Sequence, residues 1–520
     1  MGDLEKNNSQ TSFEDALERT FTVKSIGVLA INETIDGRTY GLDTKAESLT
    51  DDEKNLVTWD GPDDPLNPMN TSDRKKFFLI LLISLNTFIT PLASSMFAPG
   101  VKAMDKEFDN DNALLSTMVI SIYVLGFAIG PLFIAPLSEL YGRQIIYRLS
   151  TILFTVFTIG CGECQNFASL MILRMICGLL GATPLALGNG SVADLIPIEK
   201  RGRYMAMYVM GPVAGPSIGP LVGGFLAAIN WRWIFRLLAI ASGVLSVATW
   251  VFLEETYAPR ILQKKAIRLR KETGNQNLMT AYERQNAHQP PLTQFIRAIV
   301  RPCKLLILSP IVTILSLYAA VNYGTFYLLL TTYPSVFEKQ YGFGTNTVGL
   351  SYLGLGIGSL LCLALMILYS DRLYLKLVDM SESKERKPEY RLVFMIIYTP
   401  LVPIGLILYG WSVQKQYHWM VAEVGSFICG LGILGAFLPV MSYLVDAYSI
   451  YAASAASAST VVRSLGGAFL PLAESPLYEN LNYGWGNTLL AFVILACYPV
   501  PLILYYKGES LRKKFTPALI

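Results

Sequence analysis

Twelve stretches of about twenty residues, each almost free of charge, recur along this 520-residue chain and dictate what it can fold into. Coiled as a helix, such a run matches the hydrocarbon thickness of a bilayer. Inside lipid the backbone must satisfy its own hydrogen bonds, which a helix does within one segment. The runs fall at 77–99, 114–137, 145–164, 167–196, 205–229 and 234–253, then at 305–333, 346–369, 391–412, 419–445, 452–475 and 486–506. Only 16% of the residues are charged, against about 25% in soluble chains. The expected fold is therefore an all-α polytopic membrane protein with 12 transmembrane helices.

The same runs set the domain expectation. Residues 77–253 make one six-helix bundle and 305–506 a second, joined by a charged linker over 254–304 with a surface helix at 259–271. Residues 1–76 read as a disordered cytosolic tail and 507–520 as a second tail. The first seventy residues carry no charged-then-apolar leader, so no cleavable signal peptide is expected and the first span directs insertion. Lys and Arg set the orientation. With the N-terminus inside, inner segments after residue 70 hold 28 of them and outer loops only 6, so both termini are expected in the cytosol. The glycosylation sequons at Asn7, Asn32, Asn70 and Asn189 agree, since all lie in the tail or inside a span.

The halves repeat. Ile176-Cys-Gly-Leu179 followed by Asp194 recurs as Ile428-Cys-Gly-Leu431 followed by Asp446. Ser138-Glu139-Leu140 after the second span is echoed by Ser370-Asp371-Arg372 after the eighth. Six-helix repeats in the same sense suit a transporter that rocks about a central site.

Three places carry candidate mechanism. The loop APLSELYGRQ (135–144) needs Gly142 for a tight turn, and Glu139 and Arg143 are spaced to meet each other or nearby helix ends. Such a cluster either latches one conformation, with Asp371 and Arg372 as its repeat, or is a solvated loop that sets topology. Arg174 lies inside the fourth span, where a guanidinium costs about 2.5–3.5 kcal/mol, so it must find carbonyl or carboxylate partners or a cavity. The fifth span holds GPVAGPSIGPLVGG (211–224), with Gly211, Gly215, Gly219 and Gly223 on one helical stripe and Pro212, Pro216 and Pro220 beside them. Small residues at that spacing admit a neighbouring helix, and lipid-buried neighbours tolerate the prolines. A kinked, close-packed helix at the seam between the halves is the expectation.

The loop is similar to the signature of the major facilitator superfamily, G-x-L-a-D-r-x-G-R-[RK], with departures at Ala135, Glu139 and Gln144. The resemblance carries over Gly142 and Arg143, and Glu139 by its chemistry; it implies that superfamily's fold, two six-helix repeats around a central cavity. The Arg matching Arg174 is associated there with proton coupling. The fifth-span stretch resembles the antiporter motif of drug:proton exporters, G-x-x-x-G-P-x-x-G-G, matching at Gly211, Gly215, Pro216 and Gly219, with Pro220 in the last glycine place. DDPLNP (63–68), RGRYMAMY (201–208), NWRWIF (230–235), EETYAPR (254–260), YLVDAY (443–448) and SASTVVRSLGGAFLPL (457–472) resemble fungal twelve-span drug:proton antiporters. That group exports drugs, toxins, secondary metabolites and polyamines. The resemblance implies a monomeric efflux pump with a small-molecule substrate and no cofactor, energised by a proton gradient. It would lie in the plasma membrane, with the vacuolar membrane as the alternative.

Proton exchange needs a buried carboxylate. Beside Arg174 the candidates are Asp194, Glu423 and Glu474; Glu163 and Asp446 are also available, and helix-end capping suits Asp194 and Asp446. Cavity candidates are Asn86, Tyr123, Tyr352 and Arg463, with Tyr318, Asn322 and Phe326 sharing one face of the seventh span. That face either binds a flat molecule or packs on a neighbour.

Other signals point away from chemistry. Cys161-Gly-Glu-Cys164 has no second pair, so packing thiols are expected and no metal. GLGILG (430–435) lies inside an apolar span, no Walker loop occurs, and His288 and His418 sit in no catalytic constellation. A net charge of +3 gives no reason to expect nucleic acid. Rival readings are a nutrient symporter, a polyamine exporter or a receptor on the same scaffold; an enzyme is not expected.

Overall fold

The computed structural model describes residues 55–197, 200–286, 290–344, 347–381, 384–385, 387–448 and 452–515. The sequons at Asn7 and Asn32, His288, and the tails over 1–54 and 516–520 lie outside these residues. Spans 1 to 6 are Asp73–Ser95, Ala113–Tyr141, Arg143–Gly162, Phe167–Leu195, Arg201–Ile229 and Arg232–Phe252. Spans 7 to 10 are Pro310–Tyr341, Leu353–Met380, Leu392–Tyr398 continued by Leu401–Gln414, and Trp419–Ala447.

The last apolar stretch runs 63 residues, Ala453–Phe515. One straight helix of that length would reach ~95 Å, three times a bilayer core. Asn482 resolves this: its φ of 56° and ψ of 175° break the helix. The chain then returns along span 9, with Trp411 on Trp485 at one end and Glu389 bonded to Arg512 at the other. Span 11 thus begins at Ala452 and span 12 follows Asn482, so twelve crossings are present among the described residues.

Two expected boundaries shift. Span 7 starts at Pro310 rather than 305, after a separate helix Pro291–Leu308. Proline lacks an N–H and pushes its predecessor out of helical geometry, and Ser309 is extended at φ −110°, ψ 103°. Span 1 stops at Ser95 and is followed by a tight turn Ala98–Gly100 and a short helix Val101–Glu107.

The tail expectation needs correcting over residues 55–71. Together with 258–286 they form a compact unit separate from the helical body. Leu56–Val57 pairs in parallel with Met279–Thr280, which is the strand pair among the described residues of an otherwise helical chain. Lys265, on the helix Ala258–Thr273, is buried there; its Nζ donates to Thr58 O (3.0 Å), Asp60 Oδ1 (2.6 Å) and Asp64 Oδ2 (3.3 Å). The Asp64 carboxylate also accepts the Asp60 and Leu66 N–H groups at 2.9 and 2.8 Å. These N–H groups, Asp60's foremost, and the Lys265 ammonium hold Asp64 below the usual carboxylate range, against the effect of burial.

In the helical body each half owns an apolar core. One cluster is made wholly of residues 79–253, and two others wholly of residues 305–504. The repeated Cys-Gly explains part of this packing. A Cβ at Gly178 would lie 2.0 Å from Tyr123 O of span 2, and one at Gly430 2.3 Å from Leu355 O of span 8. Each half therefore presses span 4 or 10 backbone-to-backbone onto span 2 or 8 through its glycine.

Candidate functional site

We call the face bearing the loop between spans 2 and 3 proximal and the opposite face distal. On the proximal face Gly142 takes φ 96°, a conformation that disfavours any side chain, and lets span 3 start immediately after span 2 ends. This delivers Arg143 to the first turn of span 3. Its Nε lies 2.6 Å from Asp194 Oδ2 at the end of span 4, and its guanidinium sits over the Tyr257 ring at 5.4 Å. Gly190 makes the room: a Cβ there would lie 2.4 Å from Arg143 Nη1. Glu255, which the sequence reading passed over, accepts the N–H groups of Arg143 and Gln144 at 2.9 and 3.3 Å. A carboxylate there meets the positive end of the span 3 helix. Glu139 is exposed, and Asp194 rather than Glu139 is the partner of Arg143.

The second half repeats the arrangement with a different arginine. Arg391, at the start of span 9, reaches Asp371 Oδ1 at 3.0 Å and Asp446 Oδ2 at 3.2 Å, and lies 4.4 Å over the Tyr374 ring. The expected cluster of Asp371 with Arg372 is thus recentred on Arg391, while Arg372 is exposed. The repeat itself was the available signal, since Arg391 opens span 9 as Arg143 opens span 3.

Arg174 is 1% exposed and meets carbonyls, not carboxylates. Nε donates to Val119 O (2.8 Å), Nη1 to Ala93 O (3.4 Å) and Nη2 to Ser94 O (3.2 Å). The rings of Tyr123 and Phe97 lie 4.9 and 5.2 Å from Cζ. Carbonyl dipoles and ring faces together substitute for water around the charge. Arg174 thereby ties spans 1, 2 and 4 together.

Span 5 continues unbroken through its three prolines from Arg201 to Ile229. The neighbouring helix that its glycines admit is span 1 of the same half. A Cβ at Gly211 would lie 2.9 Å from Ser84 O, at Gly215 2.8 Å from Phe88 O, and at Gly219 3.0 Å from Leu92 O. At Gly223 it would lie 2.0 Å from Met96 O, just beyond the end of span 1. The seam with the other half lies on another side of the same helix: the Pro220 and Leu221 carbonyls approach Gly349, and Ser217 approaches Gly356 of span 8. In return, span 11 meets span 2, with Gly467 close to Val124.

The distal side is closed. Ala98, Ile120 and Val124 of the first half join the second half's apolar cluster around Tyr327. Ser94 Oγ and Tyr327 OH lie 2.8 Å apart, and Lys102 and Glu338 form an ion pair, both linking the two halves. Sequence spacing gave no hint of either pair, because each partner is isolated in its own segment.

Most polar cavity candidates are engaged inside their own bundle. Asn86 Nδ2 donates to Leu82 O at 2.9 Å and Thr249 Oγ1 at 3.1 Å, and Tyr123 OH to Thr90 O at 2.9 Å. Tyr318 OH meets Thr399 Oγ1 of span 9 at 2.5 Å, and Tyr352 OH donates to Leu330 O at 2.7 Å. Asn322 is fully buried and bonds Tyr318 O at 3.0 Å, so this face of span 7 packs within its bundle. Phe326 instead stacks on Tyr323 with centroids 6.3 Å apart. Arg463 of span 11 lies over Tyr323 and Phe437 at 4.6 and 4.7 Å.

Of the acids, Glu423 is buried; Oε2 accepts the Gly354 N–H at 2.7 Å, and Oε1 has no hydrogen-bond partner. It lines a groove of about 670 Å³ with Phe343, Leu353, Trp419 and Met420. Glu474 begins the helix that leads to Asn482 and is half-buried, and Glu163 pairs with Arg236 at 3.2 Å. No group of three or more metal-binding side chains occurs among the described residues.

A family model for the Major Facilitator Superfamily matches residues 83–471. The efflux pump radE of Floropilus chiversii is 45% identical over 480 residues, covering 92% of this chain and 88% of that protein. The MFS-type transporter penM of Penicillium rubens is 48% identical over 469 residues, covering 90% and 91%. Among solved structures, the xylose transporter XylE from E. coli in a partially occluded inward-open conformation matches with a TM-score of 0.62 at 15% identity, over 84% of this chain and 98% of that one. At that identity the likeness speaks for the fold, and the fold it speaks for is the two-bundle body described above. By the span of the family match and the identity to these relatives, the chain belongs to the major facilitator superfamily and is a membrane transporter.

Proposed function

We propose that the chain is a proton-coupled efflux transporter that exports small organic compounds by alternating access. The observation that carries this is the position of span 5, locked by its glycines onto span 1 and meeting span 8 of the other half on a different side. Rocking requires one interface that moves with its bundle and one that slides, and span 5 supplies both. The efflux-pump name of radE supports the direction of transport.

In this reading residues 77–253 and 305–506 are the two rocking bodies and 254–304 links them. Gly142, Arg143 and Asp194, with Asp371, Arg391 and Asp446, form the proximal latch, and Glu139 and Arg372 flank it. The proximal face is cytosolic, supported by the 28-to-6 bias of Lys and Arg. Glu423 and Glu474 are the proton-carrying candidates, and Arg174 holds the geometry around span 1. The protein works as a monomer in the plasma membrane.

The test is expression in a yeast strain stripped of its exporters, scored for resistance across a compound panel with and without a protonophore. Resistance that the protonophore abolishes supports the proposal. Resistance that survives it removes the coupling, and increased sensitivity to compounds in the panel reverses the direction.

A further inference from the structure

Arg174 and Arg463 both lie inside membrane spans, away from the helix ends, and they are treated in opposite ways. Arg174 is enclosed, and each of its nitrogens has a carbonyl acceptor. Arg463 is half-buried; its Nε is shielded from solvent and makes no hydrogen bond, and no carboxylate pairs with it among the described residues. Its surroundings are aromatic, with Tyr323 at 4.6 Å and Phe437 at 4.7 Å from Cζ.

Rings cover the faces of a guanidinium but leave its in-plane N–H groups without acceptors. Arginine cannot shed its charge, so a mid-span arginine without an internal acceptor is an incomplete site. The missing group is an in-plane acceptor with negative charge, such as a carboxylate, sulfonate or enolate.

Its location suits cargo. Gly467, one turn further along span 11 on the same face, would place a Cβ 2.7 Å from Tyr323 and 3.2 Å from Val124 of span 2. Arg463 therefore lies one turn to the proximal side of the apolar closure that holds Val124 and Ala468. Phe326, its ring 19° from parallel to that of Tyr323 and 6.3 Å away between centroids, adds a second aromatic group beside it.

We propose that Arg463 receives the charged end of the cargo, so that the transported class is amphipathic organic anions with a planar apolar body. This rests on the export reading only for calling the ligand cargo; the binding preference stands apart from it. A fixed cation at this position argues against polyamines.

The probes are 1-anilinonaphthalene-8-sulfonate and N-phenyl-1-naphthylamine, which share an aromatic body and differ in the sulfonate. Binding of each is measured by fluorescence titration on the purified full chain in lipid nanodiscs, with empty nanodiscs subtracted. The wild-type protein is expected to prefer the sulfonate by about tenfold to a hundredfold, the range of a charge-assisted hydrogen bond. Arg463→Gln, checked for an unchanged melting temperature, is expected to lose that preference, and Arg463→Lys to keep part of it. Equal binding of the two probes by the wild type overturns the proposal without need of a variant, as does a preference undiminished in a folded Arg463→Gln protein. A protein that shows the preference but confers no resistance upholds this inference and defeats the export reading.

Discussion

Arg143 and Asp194 meet at 2.6 Å where span 3 begins and span 4 ends, and one repeat later Arg391 and Asp446 meet at 3.2 Å in the same setting. Each pair ties two helices of one bundle at the proximal face, beside a conformational glycine in the first half only. The first pair is the more enclosed, with side chains 15% and 20% exposed against 25% and 38%.

That difference gives the first prediction. Asp194→Asn leaves Arg143 partly buried without its counter-charge and should cost about 1–3 kcal/mol, between the exposed and fully buried limits. Asp446→Asn should cost less than about 1 kcal/mol, because Arg391 keeps Asp371. Thermal unfolding of the two purified variants measures the order; an equal loss would contradict it.

Gly223→Ala should separate spans 1 and 5, since the added methyl would lie 2.0 Å from Met96 O, which is backbone and cannot turn aside. Overpacking of this kind costs about 1–3 kcal/mol. Gly243→Ala is the matched control, because its methyl would meet only Thr155 Cγ2 at an ordinary 3.6 Å. Melting temperature and export are expected to fall for the first and hold for the second.

Arg174→Lys keeps the charge but cannot span the carbonyls of Val119, Ala93 and Ser94 in one plane. Left with unsatisfied buried acceptors, it should lose about 2–4 kcal/mol. Reduced yield and melting temperature at unchanged charge would check this, and a lysine variant as stable as the wild type would refute the carbonyl-cage account.

Asp64 predicts a pH dependence confined to the unit it belongs to. Its carboxyl is held below the ordinary value of 3.8, so folding favours the ionised form. The resulting stability is complete above that value and is lost as pH falls through the lower, folded-state value. Hydrogen exchange over residues 55–71 should therefore be slow at neutral pH, with protection lost on acidification after correction for the intrinsic rate. Asp64→Asn should exchange faster at neutral pH and show a flattened acid response.

The membrane ladder was legible because a span declares itself through twenty local residues, as in Ala113–Tyr141 or Trp419–Ala447. The pairing of Leu56 with Met279 was not, because two-residue strands carry no periodicity and their partners stand far apart in the chain. At the site, helical spacing told which face of span 5 was small but not which helix would fill it. Periodicity fixes a direction around one axis and leaves the neighbour unnamed. Arg174's need for partners was equally plain from its charge, while their identity as carbonyls depended on where spans 1 and 2 bring their backbones. Tyr318 and Asn322 show the converse: their shared face was real, but Thr399 had already taken it.

Toward the other half, span 5 brings the Pro220 and Leu221 carbonyls to Gly349, in the turn before span 8, and Ser217 to Gly356 of span 8. At these points backbone and small groups meet glycine, which leaves little to disengage there if one body tilts against the other as the proposed cycle requires. Cargo preference can then drift through residues elsewhere on the inner walls while the moving part keeps its shape.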